Sequence, residues 1–313
     1  MHVLVLLNRA AGTIAGAPTD HAPDRIEAAF RAHGVDAEVR AVPGEDLGNV
    51  AREAAHQPYD AVIAGGGDGT INTVAAALSG TGKPFGVLPL GTFNHFAREV
   101  GIPLDLDAAV ATLAAAVPRD LDVAEVNGRL FLNFTGIGFH PTMVRRREEA
   151  REGGRRKFAA MVLATLRVLR QLPVLRVRIV SAGRSLWRIT PSVIVCTNAF
   201  QMRQFGVERV SYPERGVLNL YVARSTRWYG VAWLFVRALF SSLASAKGFE
   251  ALVMPEASLY LRRKRVLVSI DGELTELATP LVHRVRHGGL RVLVPVEQVG
   301  GPGTPPGTPP GAG

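Results

Sequence analysis

Six residues, Gly65-Gly66-Gly67-Asp68-Gly69-Thr70, constrain this chain more than any others, because four of them lack a side chain. They follow the apolar run Tyr59-Asp60-Ala61-Val62-Ile63-Ala64 and precede a helix expected to begin near Ile71. A glycine loop between strand and helix lets backbone approach a polyphosphate without interference from Cβ atoms, and it aims amide N–H groups at the charge. The helix N-terminus adds unpaired donors and a favourable dipole. Thr70 can cap that helix or bond a phosphate oxygen, and Asp68 can bond a ribose or a metal-bound water. The bland alternative is a tight turn with no ligand. Consecutive glycines would weaken such a turn, since each adds freedom to the unfolded chain.

A second turn follows the next apolar strand, in Leu88-Pro89-Leu90-Gly91-Thr92-Phe93-Asn94-His95-Phe96-Ala97-Arg98. In a parallel α/β sheet, both loops lie at the carboxyl ends of their strands, where ligands bind. Thr92 and Asn94 are therefore expected to face the same nucleotide as Gly65, Gly66, Gly67, Asp68, Gly69 and Thr70. The first loop is neither a Walker loop, which needs Gly-Lys-Ser/Thr, nor the dinucleotide pattern Gly-x-Gly-x-x-Gly.

Strands and helices alternate around these loops. Strands are expected at 3–7, 37–42, 61–64 and 85–88, and helices at 24–33, 47–55 and 71–78. Short apolar strands separated by helices imply parallel pairing through right-handed crossovers. After Asp122 the pattern changes to strand-like runs at 124–126, 130–134, 175–180, 192–197, 218–223, 258–262, 266–270 and 290–294. Helical insertions are expected at 145–171 and 227–247. The reading is an α/β domain over 1–124, a mainly antiparallel β domain over 125–298, and a disordered Gly/Pro tail over 299–313.

Apolar residues make up 47% of the 313-residue chain and charged residues 20%, a globular balance. The net charge of +9 favours an anionic partner, without choosing among nucleotide, acidic membrane and nucleic acid. No recognition motif for nucleic acid is evident, and none is expected as a partner. The single cysteine, Cys196, sits in the apolar run Val193-Ile194-Val195-Cys196 and reads as a buried thiol in a reducing, cytoplasmic setting. The first residues, Met1 to Arg9, lack a basic start and a long apolar core, so they read as a strand and not as a signal peptide. The apolar stretch 228–246 carries Arg237 near its middle, which argues against a spanning helix.

Taken together, Gly-Gly-Asp-Gly-Thr followed by Pro-Leu-Gly-Thr-x-Asn-x-Phe-Ala-Arg resembles the catalytic domain of diacylglycerol kinases and their bacterial lipid kinase relatives, with sphingosine and ceramide kinases more distant. Phe131-Leu132-Asn133-Phe134-Thr135-Gly136-Ile137-Gly138-Phe139 resembles the segment that opens that family's second domain, and Ile270-Asp271-Gly272-Glu273 its late Asp-Gly-Glu turn. The resemblance runs from Val3 to about Pro295. It implies a Rossmann-like nucleotide-binding α/β domain followed by a β-sandwich, with the active site in a cleft between them. It further implies ATP along Gly66–Thr70 and near Thr92, with Asn8 and Gly12 close by. Glu273 would be the base that takes the proton from a lipid hydroxyl, with Asp271 as metal ligand or alternative base. By residues alone, Asp271-Gly272-Glu273 reads rather as a surface hairpin, for which Asp-Gly is a common signal; it is the resemblance that turns it toward a catalytic role.

The chain departs from that family's pattern at three places. His95 stands where Asn-Asp-Phe-Ala-Arg is usual, His140 where an acidic residue often follows Gly-Phe, and Arg215 in Arg215-Gly216-Val217-Leu218-Asn219 where an aspartate helps hold a structural magnesium. Arginine cannot ligate magnesium, and imidazole is a poor ligand for so hard a cation. An accessory magnesium is therefore not expected, whereas one carried by the nucleotide is. His95 and His140 could instead pair and titrate near neutrality.

The expected activity is transfer of the γ-phosphoryl of ATP to a lipid alcohol, by a protein resting on the inner membrane surface. The basic run 145–157 and the aromatic stretch 228–246 could serve that contact, or be solvated face and core. A homodimer is compatible with these features. Alternatives are a nucleotide-binding regulator with weakened turnover, motivated by His95, His140 and Arg215, and an NAD kinase, which also uses a Gly-Gly-Asp-Gly loop. Which lipid alcohol is used does not follow from the residues.

Overall fold

The computed structural model describes residues 1–9, 22–138, 174–197, 216–224 and 249–296. The expected insertions at 145–171 and 227–247, the tail at 299–313, and Gly12, His140 and Arg215 lie outside the described residues. The chain forms two compact units, Met1–Asp120 with the chain from Arg291 on, and Leu121–Leu290.

The first unit alternates strand and helix. Its elements are β1 (His2–Asn8), α1 (Ala22–Ala32), β2 (Asp36–Val42), α2 (Leu47–Ala54), β3 (Ala61–Gly66), α3 (Asp68–Leu78), β4 (Phe85–Pro89), α4 (His95–Glu99) and α5 (Leu106–Ala114). The strands pair in the parallel order β2-β1-β3-β4. Val3 to Leu7 and Val62 to Ala64 are wholly buried, as a parallel strand covered on both faces must be. The α2–α3 pair and the α1–α5 pair supply the covering layers, through Leu47, Ile71 and Val74 in one and Ile26, Phe30 and Val110 in the other. This order brings the carboxyl ends of β3 and β4 side by side, with Gly65 opposite Leu88 and Gly66 opposite Pro89.

The second unit is antiparallel. After β5 (Val117–Val126), whose first residues belong to the first unit, come β6 (Arg129–Phe131), β7 (Phe134–Gly138), β8 (Leu175–Ser181), β9 (Arg184–Thr190), β10 (Ser192–Cys196), β11 (Leu218–Ala223), β12 (Phe249–Met254), β13 (Glu256–Leu261), β14 (Arg265–Ile270), β15 (Glu273–Ala278) and β16 (Leu281–Val294). One sheet holds the start of β16 with β13, β8 and β9. The other is ordered β12-β11-β10-β7-β14-β15. Val177, Ile179, Ala257, Leu259 and Leu281 from the first sheet pack on Ile137, Val193, Val195, Leu220, Val222 and Val268 from the second, which makes a sandwich. The parallel α/β domain and the mainly antiparallel second domain are as the residues predict, and the sandwich is as the resemblance implies.

β16 carries the chain back. Its last residues lie in the first unit, where Val292 pairs in parallel with Phe85 of β4. The strands expected at 130–134 and 290–294 therefore differ from those formed. The former breaks between β6 and β7, and the latter is the end of a 14-residue strand. β9, β12 and β15, absent from the expected set, are edge strands or their partners, with exposed residues spaced along them. Such strands lack the continuous apolar runs that betray buried ones.

Candidate active site

In the first unit the two glycine loops meet backbone to backbone. A Cβ on Gly91 would lie 2.5 Å from Gly67 Cα and 2.9 Å from Asn94 Oδ1, so no side chain fits there. Gly66 is similarly closed, because its Cβ would lie 2.7 Å from the side chain of Thr70. Leu90 N donates to Gly66 O at 3.1 Å, stitching the loops at their base.

Two polar side chains lock this arrangement. Asp68 Oδ1 accepts from His95 N at 2.8 Å, so one carboxylate in the first loop holds the start of α4 beyond the second. Asn94, buried and left-handed at φ 52°, accepts from Gly91 N at 2.9 Å and donates back to Gly91 O at 2.8 Å. Asparagine tolerates that backbone region better than most residues, which suits it to this corner.

The helix begins earlier than the residues suggest. Gly67 is the extended N-cap of α3, no side chain caps it, and Asp68-Gly69-Thr70 form its first turn. Thr70 therefore does not cap the helix. It is buried in that turn, and its Oγ1 accepts from Asn8 Nδ2 at 3.3 Å, which ties the end of β1 to the loop. An uncapped first turn presents amide donors and the positive end of the helix dipole, the two things an anion needs. Thus Asn8, Gly65, Gly66, Gly67, Asp68, Gly69, Thr70, Gly91 and Asn94 form one constellation, beside which Thr92 is exposed. The side chain of His95 stacks on Phe93 with ring centroids 5.5 Å apart. Its aligning backbone N–H does not depend on which side chain stands there.

In the second unit, Asp271 and Gly272 form the two-residue turn between β14 and β15, with φ of 47° and 94°. Two positive φ values in a two-residue hairpin match the type I′ turn, for which Asp-Gly is strongly preferred. The Asp271 carboxylate accepts from three backbone N–H groups: Leu132 through Oδ2, and Asn133 and Phe134 through Oδ1, each at 2.8 Å. Asp271 N in turn donates to Phe134 O at 2.9 Å. These bonds are why the strand expected at 130–134 is broken, since the amides of 132–134 serve the aspartate. Asp271 has the contacts of a structural clamp. Glu273, next along the turn, is exposed at the start of β15.

Sequence reasoning passed over a buried pair beside this turn. His283 is 1% exposed, its Nε2 lies 2.9 Å from Thr135 Oγ1, and Phe131 meets its ring edge-on. Burial lowers its pKa to about 4, so it is neutral in the folded chain. The packing of the β16 sheet on the β7 sheet was the missing signal, and no local pattern supplies it. Cys196 is buried as expected. Of the residues near the accessory magnesium position, Asn219 is buried on β11. No group of three or more His, Cys, Asp or Glu gathers for a metal among the described residues.

The sequence profile of the diacylglycerol kinase catalytic domain matches residues 2–126, the span that holds both glycine loops. Over those residues the chain is similar to diacylglycerol kinase catalytic domains. Over 96 residues the chain is 48% identical to a Pseudomonas aeruginosa protein described as a probable lipid kinase, YegS-like, covering 30% of this chain and 32% of that one. It is 45% identical over 96 residues to a Bacillus subtilis diacylglycerol kinase, with the same coverage. These matches span about a third of the relatives' length. A crystal structure of a diacylglycerol kinase from Bacillus anthracis superposes with a TM-score of 0.70 at 21% identity, over 95% of this chain and 98% of that one. That likeness extends the shared fold through both units.

Proposed function

We propose that the protein is a lipid kinase, transferring the γ-phosphoryl of ATP to the hydroxyl of a diacylglycerol-like lipid. The observation that carries this reading is the side-chain-free contact of Gly67 with Gly91, clamped by Asp68 across to His95 N. Such a cradle has no use as a plain turn, and it leaves the first amides of α3 to meet phosphate oxygens. Asn8 and Thr70 lie at its edge and would bond the nucleotide, as would Thr92. A magnesium ion arriving on the phosphates would neutralise part of their charge. Asp68 is the carboxylate the loop itself offers toward it.

Glu273 is the proposed base. Its carboxylate would take the hydroxyl proton as the lipid oxygen bonds to the γ-phosphorus, while the bond to the bridging oxygen breaks and ADP leaves. Asp271, occupied by three amides, would hold the turn that carries Glu273.

The test is incubation with labelled ATP and a total lipid extract, alongside NAD as a competing acceptor. Glu273→Gln and Asp68→Ala are each expected to abolish label in lipid, the first without loss of ATP binding. Unimpaired transfer by Glu273→Gln would remove the base. Label in NAD and not in lipid would replace the lipid kinase reading by the NAD kinase one, and ATP binding without transfer by the native chain would leave a nucleotide-binding regulator.

A further inference from the structure

The outward face of the β9-β8-β13 sheet carries an aromatic and basic patch that the activity above does not use. Trp187, Arg178 and Tyr260 lie side by side across the three strands, in register. The Arg178 guanidinium stands 5.9 Å from the Trp187 ring centroid and 4.6 Å from that of Tyr260. Trp187 is 66% exposed, Ile189 beside it 57% and Tyr260 38%. Arg176, opposite Ile189, is exposed, and Arg262, Arg263 and Lys264 follow at the end of β13, all exposed. Glu256, which alternation places on this face of β13, stands opposite Arg284.

We infer that this face docks the protein on an anionic phospholipid surface. Tryptophan and tyrosine have an apolar body and a polar tip, the combination that settles at the headgroup level of a bilayer. A guanidinium between two rings is held by cation–π attraction and is ready to meet a lipid phosphate. Its neighbours add positive charge that draws the face toward acidic lipid. A second copy of the chain fits this face poorly, because two such patches apposed about a two-fold axis would bring arginines against arginines. The inference rests on the lipid kinase reading for its purpose, since a lipid substrate is met at a membrane. Among the described residues no helix is long and apolar enough to cross one.

The experiment is co-sedimentation of the full chain, without nucleotide, with phosphatidylcholine vesicles containing or lacking phosphatidylglycerol. The native chain is expected to bind the anionic vesicles and to be released by salt. Trp187→Ala with Tyr260→Ala, and separately Arg176→Gln with Arg178→Gln, should each lower the partition coefficient about tenfold. Both pairs lie on an exposed face, so folding is checked by unchanged melting. Turnover of a short-chain, water-soluble lipid alcohol should be unaltered, which separates docking from chemistry. Equal binding by native and variant chains would overturn the proposal. So would loss of self-association, in place of vesicle binding, in the aromatic variant. Because binding is read without nucleotide, failure of the kinase assay and failure of docking are distinct results.

Discussion

At the scale of single residues, Asp271 has a structural job that the sequence could not separate from the catalytic one proposed for Glu273. The three amides held by Asp271 are left without a partner if its carboxylate is removed, and each unsatisfied buried donor is costly. Asp271→Ala is expected to destabilise the second unit by about 2–3 kcal/mol, measured by chemical denaturation. Glu273→Gln, at an exposed position, should leave the same curve unmoved. The buried imidazole of His283 sets a pH dependence. Its pKa falls from an ordinary 6.5 to about 4 on folding, so the unfolded chain binds the proton more readily. Stability is therefore full above pH 6.5, declines as pH falls toward 4, and loses about 3 kcal/mol across that window. His283→Gln should flatten that part of the stability profile, as followed by urea melts at a series of pH values.

At the scale of elements, the glycine loops act as a pair. Gly91→Ala would drive a methyl group to within 2.5 Å of Gly67 Cα, where backbone cannot yield cheaply. The loops would separate and the Asp68 bond to His95 N would lengthen. The expected cost is about 1–3 kcal/mol in stability together with loss of ATP binding, read by thermal melts with and without nucleotide. The elements themselves were largely legible. β1, β3 and β4 announce themselves as apolar runs because both their faces are buried, and the loops after β3 and β4 by their glycines. The break between β6 and β7 was not legible, because the partner that claims its amides lies 137 to 139 residues away. β9 was missed because one of its faces is open to solvent. There, Trp187 and Ile189 stand exposed with Arg188 between them in sequence, and only pairing with β8 declares the strand.

At the scale of the whole molecule, the chain is not two beads in series. The end of β16 returns to the first unit, where Val292, Leu293 and Val294 are buried to 3% exposure or less. Burying an aliphatic side chain of this kind stabilises by about 1.5–3 kcal/mol. A truncation after Leu290 should therefore fail to give a folded first unit, judged by circular dichroism and ATP binding. A truncation after Val296 serves as the control and should melt like the full chain. What the residues determined alone was local chemistry. The glycine runs, the apolar strands, the hairpin dipeptide at Asp271-Gly272 and the buried cysteine each follow from the conformational freedom or hydrophobicity of a few neighbours. What the tertiary structure alone decided was partnership across distance. Asp271 became a clamp and Arg178 the centre of an aromatic sandwich because strand register brings remote residues together, and His283 became a neutral core group because the two sheets pack face to face; register and packing are properties of the folded sheets, not of any window of sequence.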